Sequence, residues 1–422
     1  MTPKQTGPLV GTRVLELCST IAGPACARLL ADFGAEVIKV EPPEGDSVRR
    51  LGVSDQGVAL YAASILRNKR VVTIDIKTER GQQLVRELAK QCDVVVENFR
   101  PGTLERLGLG YEALSKDNPG LVMVRISGYG QTGPYASKAG YGAICEAFGG
   151  IRELIGEPDR PPVRVSVPVT DYVTAAYAAF GTTMALLEKQ RTGRGQVVDT
   201  ALYEAAFTML EASVPGFDRY QVSPTREGTR LPFMAPNNLY RAKDGAYLLV
   251  AANNEATFKR LAEAMGQPEL LTDPRFCTIA VRWQHADAID AVVGAWVAQC
   301  TAKEGEAKLE AAGVPASLVY KLADIFEDPH YRARDMLLPV PHPQLGSLMQ
   351  MGIVPRLSET PGSVSWPGHE AGSDTRAVLS ELLGLDSQVL DALEAAQVIR
   401  SNADHTAMAP DGAAQRAQGA AR

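Results

Sequence analysis

Residues 13–41, RVLELCSTIAGPACARLLADFGAEVIKVE, decide the fold. RVLEL (13–17) and EVIKVE (36–41) are short runs rich in Val, Ile and Leu, the composition of buried strands. Between them PACARLLADFG opens with Pro24, which suits a first helical turn, and closes at Gly34, the residue expected just past a helix end. Strand, helix and strand in this order form a βαβ unit, with parallel strands and a right-handed crossover.

Working outward, the unit repeats. RVVTIDI (70–76) is a strand, and TERGQQLVRELAKQC (78–92) is a helix capped by Thr78, with Leu84, Val85 and Leu88 on one face. DVVVENF (93–99) is a strand, GYEALSKDNPG (110–120) a short helix and stop, and LVMVRIS (121–127) the next strand. The alternation predicts an α/β class protein with an open sheet covered on both faces. Ligands of such sheets bind beyond the carboxyl ends of the strands. The segments at those ends are CSTIAGP (18–24), EPPEGD (41–46), ENFRPG (97–102) and SGYGQTGP (127–134).

PVTDYVTAAYAAFG (168–181), a stretch whose one charge is Asp171, opens a long helix, and RTGRGQ (191–196) ends it. Asp171 can be a helix N-cap, and a carboxylate there beside an apolar pocket can also be a covalent nucleophile. VVDTALYEAAFTMLEASV (197–214) reads as a strand leading into a helix, and residues 215–238 as an irregular linker. LYRAKDGAYLLVAA (239–252) is a hairpin turning at Asp244-Gly245. Helices follow at 254–266 and 285–300, TAKE (301–304) is a capping box before another, and VPASLVY (314–320) is a strand. This region is a smaller α+β domain.

The 422 residues carry a net charge of −6, with 45% hydrophobic and 22% charged residues, which fits a globular protein and not a nucleic-acid binder. The start of the chain shows no secretory apolar core. The longest nearly apolar run, 174–187, is short of the ~20 residues needed to span a bilayer. Six scattered cysteines without a C-x-x-C fit reduced thiols, so a cytoplasmic location without membrane association is expected. No G-x-G-x-x-G follows the first strand, which disfavours a dinucleotide, and no Walker loop, H-E-x-x-H or G-x-S-x-G occurs. The five histidines all lie in the second half of the chain, outside the glycine loops.

GTRVLELCSTIAGPACARLLADFGAEVIKVEPPEGDSVR, NKRVVTIDIK, DVVVENFRPGTLERLGLGYEAL, SGYGQTGP and RTGRGQVVDTALYEA occur in this order. Together they closely resemble the class III CoA-transferases, a family that extends to α-methylacyl-CoA racemase. The resemblance covers nearly all of residues 7–400 and implies a set of expectations. The fold is a large Rossmann-like domain whose parallel sheet is formed from both chain ends, plus the smaller α+β domain, in an interlocked homodimer. The divisions are 1–214 for the N-terminal part of the large domain, 215–238 for the linker and 239–320 for the small domain. Residues 321–402 return to the large domain, and 403–422 are a disordered tail. Asp171 occupies the family's nucleophile position. Ser19, Thr20, Ile21, Ala22, Ile74, Lys77, Asn98, Phe99 and Arg106 fall at CoA-binding positions, and Gly140 and Tyr141 at the substrate pocket. No metal and no tightly bound cofactor is implied, since the coenzyme A thioester is itself a substrate beside a small carboxylic acid.

Several positions bear on the activity. Ser19 stands where the family's first loop has His. Tyr141 stands where racemases have their catalytic His, which favours transfer over racemisation. Gly142 replaces a Glu found in many transferases. The linker, GTRLPFMAPNNLYRAKDG (228–245), also lacks the glycine run of formyl-CoA transferase, so formyl transfer is disfavoured. The PNNLYRAKDGAYLLVAANN form instead suggests succinyl-CoA as donor and citramalate, malate, itaconate or mesaconate as acceptor. The alternatives are a racemase or isomerase, and a non-catalytic partner subunit of a heteromeric transferase.

Overall fold

The computed structural model describes residues 6–402, so the expected tail (403–422) lies outside the described residues. The chain divides into two compact units. The first holds the described residues up to Gly150, Ser166–Glu211 and those from Asp335 onward; the second holds Ile151–Val165 and Ala212–Arg334.

The first unit is built on a seven-stranded sheet. Its strands are β1 (Arg13–Glu16), β2 (Glu36–Glu41), β3 (Lys69–Ile74), β4 (Val94–Glu97), β5 (Val122–Ser127), β6 (Val197–Ala201) and β7 (Ile399–Arg400). The order across the sheet is β7-β3-β2-β1-β4-β5-β6. β1 to β6 are mutually parallel, and β7 pairs antiparallel with β3. The C-terminal segment therefore adds an antiparallel edge strand to a sheet whose parallel strands all come from the first half of the chain. The parallel order 3-2-1-4-5-6 is that of doubly wound sheets. It reverses between β1 and β4, which opens a crevice at their carboxyl ends.

Alternate residues of each strand feed opposite faces. Val14, Val37, Val94, Val96, Val122 and Val124 join one apolar cluster, together with residues of α1 (Ala22–Asp32) and of a later, longer helix. Leu15, Ile38, Val72, Val95 and Met123 join the other, which includes Leu84, Val85 and Leu88 of α2 (Glu79–Lys90). Burial on both faces is why these strands read as unbroken apolar runs. Thr78 caps α2 as expected, its hydroxyl accepting the Gly81 N–H at 3.0 Å.

Three further helices frame the crevice: α3 (Gly142–Phe148), α4 (Val169–Thr192) and α5 (Leu202–Phe207). The 24-residue α4 packs on α1 and stops at Gly193, which takes the left-handed conformation that ends a helix. Near the C-terminus, α6 (Thr375–Leu383) and α7 (Ser387–Ala395) cover the second face, and residues 337–342 and 346–351 form an antiparallel hairpin.

The second unit holds a three-stranded antiparallel sheet with 247–251 between 237–241 and 316–318. Its core includes Leu248, Phe258, Phe276 and Val297, and the capping box at Thr301 and Glu304 forms as the sequence predicts. Two differences from the sequence reading stand out. The stretch read as an irregular linker contains most of a helix, Ser213–Tyr220, because Pro215 sits in its first turn, where no backbone N–H is needed. Residues 151–165 belong to the second unit, where Arg226 donates to the Glu153 carbonyl at 2.9 Å and Gly228 N–H to Gly156 at 3.1 Å. Among the described residues no helix is long and apolar enough to cross a membrane.

Candidate active site

The crevice between β1 and β4 is closed by a reciprocal pair. Ser19 N–H donates to Asn98 Oδ1 at 2.9 Å, and Asn98 Nδ2 donates to the Ser19 carbonyl at 2.8 Å. The loop after β1 is thereby tied to the loop after β4 across the point where the strand order reverses.

That first loop is held from below by buried charges. Thr20 has φ +70°, unusual for a β-branched residue, and its N–H donates to Asp46 Oδ1 at 3.0 Å. Asp46 also accepts from Val48 N–H at 2.9 Å and pairs with Lys39 Nζ at 2.7 Å. Lys39, fully buried, donates to the Cys18 carbonyl at 2.9 Å and to Glu16 at 3.0 Å; Lys69, equally buried, reaches Glu16 at 2.7 Å and the Pro24 carbonyl at 2.7 Å. Burial by itself pushes the Asp46 carboxyl up, but Lys39 and the Val48 and Thr20 N–H groups outweigh it and hold the group below its ordinary value.

A third wall comes from β5. Beyond it Gly128 and Gly140 meet backbone to backbone: a Cβ on Gly128 would lie 2.9 Å from the Gly140 Cα. Cys145 Sγ donates to the Gly128 carbonyl at 3.3 Å. Tyr141 follows, 77% exposed, then Gly142 at the start of α3. Tyr129, Tyr135, Phe148 and Tyr203 form an aromatic cluster beside this wall, with Lys138 Nζ 3.4 Å from the Tyr135 ring centre.

Asp171 enters from the first turn of α4. It is not the N-cap that one sequence reading allowed: the cap position is Pro168, and Asp171 is the third helical residue. The side chain is half-buried. Burial first, and then the Asp171 charge, push the Cys145 thiol up to about 11, so at neutral pH this neighbour is a neutral thiol and a poor nucleophile.

These walls enclose a cavity of ≈ 300 Å³. Of the residues singled out in the sequence, Ser19, Thr20, Ile21, Ala22, Asn98, Phe99, Gly140, Tyr141 and Asp171 line it together. Lys77 and Arg106 are exposed and do not line it; the Arg106 guanidinium donates to Thr103 Oγ1 at 3.2 Å. Ile74 is corrected: it is fully buried in the second apolar cluster, on the same strand face as Val72, and offers a ligand no surface.

The sequence reading missed Arg100, Lys138, Ser127 and Gly128, which also line the cavity. Their signal was positional, since all four lie in or just beyond the loops that follow β4 and β5. The lining has one carboxylate, Asp171, two cations, Arg100 and Lys138, and no histidine. Among the described residues no group of three His, Cys, Asp or Glu could hold a metal ion.

The model of CoA-transferase family III matches residues 9–375. A Chloroflexus aurantiacus protein, "Succinyl-CoA--D-citramalate CoA-transferase", is 46% identical over 93% of this chain and 98% of its own. The "Succinyl-CoA--L-malate CoA-transferase beta subunit" of the same organism is 40% identical over 93% of this chain and 98% of its own. The crystal structure of a CAIB/BAIF family protein from Brucella suis superposes with a TM-score of 0.81 at 36% identity, covering 90% of this chain and 100% of that one.

Proposed function

Because this chain belongs to CoA-transferase family III, and is therefore a CoA-transferase, we propose that it moves CoA from succinyl-CoA to a small dicarboxylate through covalent intermediates on Asp171. The observation that carries the proposal is the Asp171 carboxylate in the wall of a cavity at the β1/β4 crevice.

The reaction balances without a metal or ATP. The Asp171 carboxylate attacks the thioester carbonyl of succinyl-CoA; the C–S bond breaks, leaving an aspartyl–succinyl anhydride and CoA thiolate. The thiolate attacks the aspartyl carbonyl, giving an aspartyl-CoA thioester and free succinate. The acceptor carboxylate attacks that thioester, forming a second anhydride and releasing thiolate. The thiolate then attacks the acceptor's acyl carbon, and Asp171 is regenerated. Every intermediate stays activated, so the site must exclude water more than it must supply energy.

The family relatives support the donor, since those of Chloroflexus are both named for succinyl-CoA. Citramalate and malate are the favoured acceptors, with itaconate and mesaconate in the same class. Arg100 and Lys138 supply cations at the cavity for CoA phosphates or a second carboxylate. The absence of histidine from the lining weighs against racemisation, which needs a second proton-transfer partner.

The test is to incubate the protein with succinyl-CoA and a panel of carboxylic acids and weigh the CoA products. Citramalyl-CoA or malyl-CoA should appear in step with succinate. Deuterium entering the acyl α-carbon without transfer would replace this reading with racemisation, and inactivity of the single chain would favour a heteromeric enzyme.

A homodimer completes the proposal. On α4 Tyr177, Phe180, Met184 and Leu187 are 45%, 60%, 49% and 66% exposed, at helical spacing on one stripe. Such a stripe is apolar surface that a second copy would bury. Leu187→Asp is expected to shift the protein from dimer to monomer in sedimentation velocity. An unchanged dimer would show that this stripe is not the interface.

A further inference from the structure

Gly142 meets the Asp171 carboxylate so closely that, with Asp171 in this rotamer, a side chain at 142 would require the carboxylate to move. A Cβ built on it has the Asp171 carboxyl group as its three nearest atoms, with Cγ at 2.9 Å, Oδ1 at 3.4 Å and Oδ2 overlapping it. The carboxylate thus occupies the volume that any other residue at position 142 would fill. Gly142 is buried and opens α3, and its φ is not in the left-handed region, so steric room and not backbone freedom explains the glycine.

The placement has a local cause. Gly140 rests on Gly128 at the end of β5, where a Cβ on Gly140 would lie 3.1 Å from the Gly128 Cα and 3.0 Å from Tyr129. The Gly128 carbonyl also accepts from Cys145, one turn into α3. Two bare backbones packed together bring residue 142 against the first turn of α4. The Gly128–Gly140 contact just beyond β5 therefore sets the position of the seat.

We infer that Gly142 is a positioning residue: its bare Cα is the seat that holds the Asp171 carboxylate in its attacking position. The inference rests on Asp171 as nucleophile. A methyl group at 142 forces the carboxylate to rotate away from the thioester, and displacements of about 1 Å in such sites cost roughly 10²-fold in rate. Gly142 lines the cavity, but so do Ser19, Thr20, Asn98, Phe99 and Arg100 on the loops after β1 and β4, so the affinity for CoA is expected to be largely spared.

The experiment is a double-mutant cycle with Gly142→Ala, Asp171→Ala and the double variant, read by kcat, by CoA affinity in calorimetry, by thermal midpoint and by the mass of the covalent adduct. Gly142→Ala should lower kcat about 10²-fold, slow adduct formation equally and leave the CoA Kd within about threefold. In the Asp171→Ala background the same methyl enters vacated space, so thermal midpoint and CoA Kd should match those of Asp171→Ala alone. This arm stands even if the single variant folds poorly. Gly142→Ala with kcat within threefold of wild type overturns the inference. So does a methyl that is equally damaging with and without the Asp171 carboxylate, which would make the glycine merely structural. Turnover by Asp171→Ala would instead sink the nucleophile assignment.

Discussion

Asp171→Ala is expected to lose CoA transfer by roughly 10⁴- to 10⁶-fold, the scale seen when a covalent nucleophile is removed. CoA affinity should stay within about threefold, because the loops after β1 and β4 line the cavity independently of α4. Asp171→Asn is the sharper control. It keeps the size of the side chain and its place over Gly142, but an amide oxygen cannot form a stable anhydride. If the residue only shaped the pocket, the Asn variant would turn over and the Ala variant would not. Both should be dead. Intact-mass measurement of wild-type protein during turnover should show Asp171 carrying an acyl or CoA adduct, absent in both variants. Either variant retaining more than about a hundredth of wild-type kcat would remove Asp171 from the chemistry.

How much of this site could be read beforehand depended on the kind of contact. The crevice was legible because strands buried on both faces leave runs such as VVV and EVIKV, and the loops after them follow by position. Ile74 shows the opposite case. Motif matching assigned it to the ligand, whereas the period-two rule applied to β3 puts it with Val72 inside the sheet's covering layer. The helix around Pro215 was hidden because residues 215–238 are rich in turn residues, whereas proline is also tolerated in a first helical turn, where Pro215 sits. Residues 151–165 could not be assigned from local pattern, since what holds them is pairing with residues some seventy positions later. Gly142 was visible only as a departure from the family. That a carboxylate fills its missing side chain is a fact of three dimensions.

The charges under the first loop were also unread, because Glu16, Lys39 and Lys69 look like interruptions of apolar strands. Lys39→Met is expected to destabilise the protein by about 3–5 kcal/mol, the usual cost of leaving one partner of a buried pair uncompensated. Methionine keeps the length of the stem while removing the charge. Glu16 retains Lys69, but Asp46 loses the Lys39 ammonium 2.7 Å away and keeps the N–H groups of Thr20 and Val48 and the Ser47 hydroxyl. The Cys18 carbonyl loses its donor at the same time. Urea unfolding should show the loss. The KM for the thioester should rise, about tenfold for each 1.4 kcal/mol that the loosened Thr20 loop withholds from binding, with less change in kcat. The acid side gives an independent reading. In the wild type the depressed Asp46 contributes stability that is present above the unfolded carboxyl value of about 3.9 and lost as pH falls through its lower folded value. Without Lys39 that carboxyl loses the strongest of the influences that lower it, so the depression shrinks and the acid-unfolding midpoint is expected to move to higher pH. A Lys39→Met protein less than 1 kcal/mol weaker, with wild-type acid unfolding, would mean that the network neither stabilises the unit nor holds the Thr20 loop.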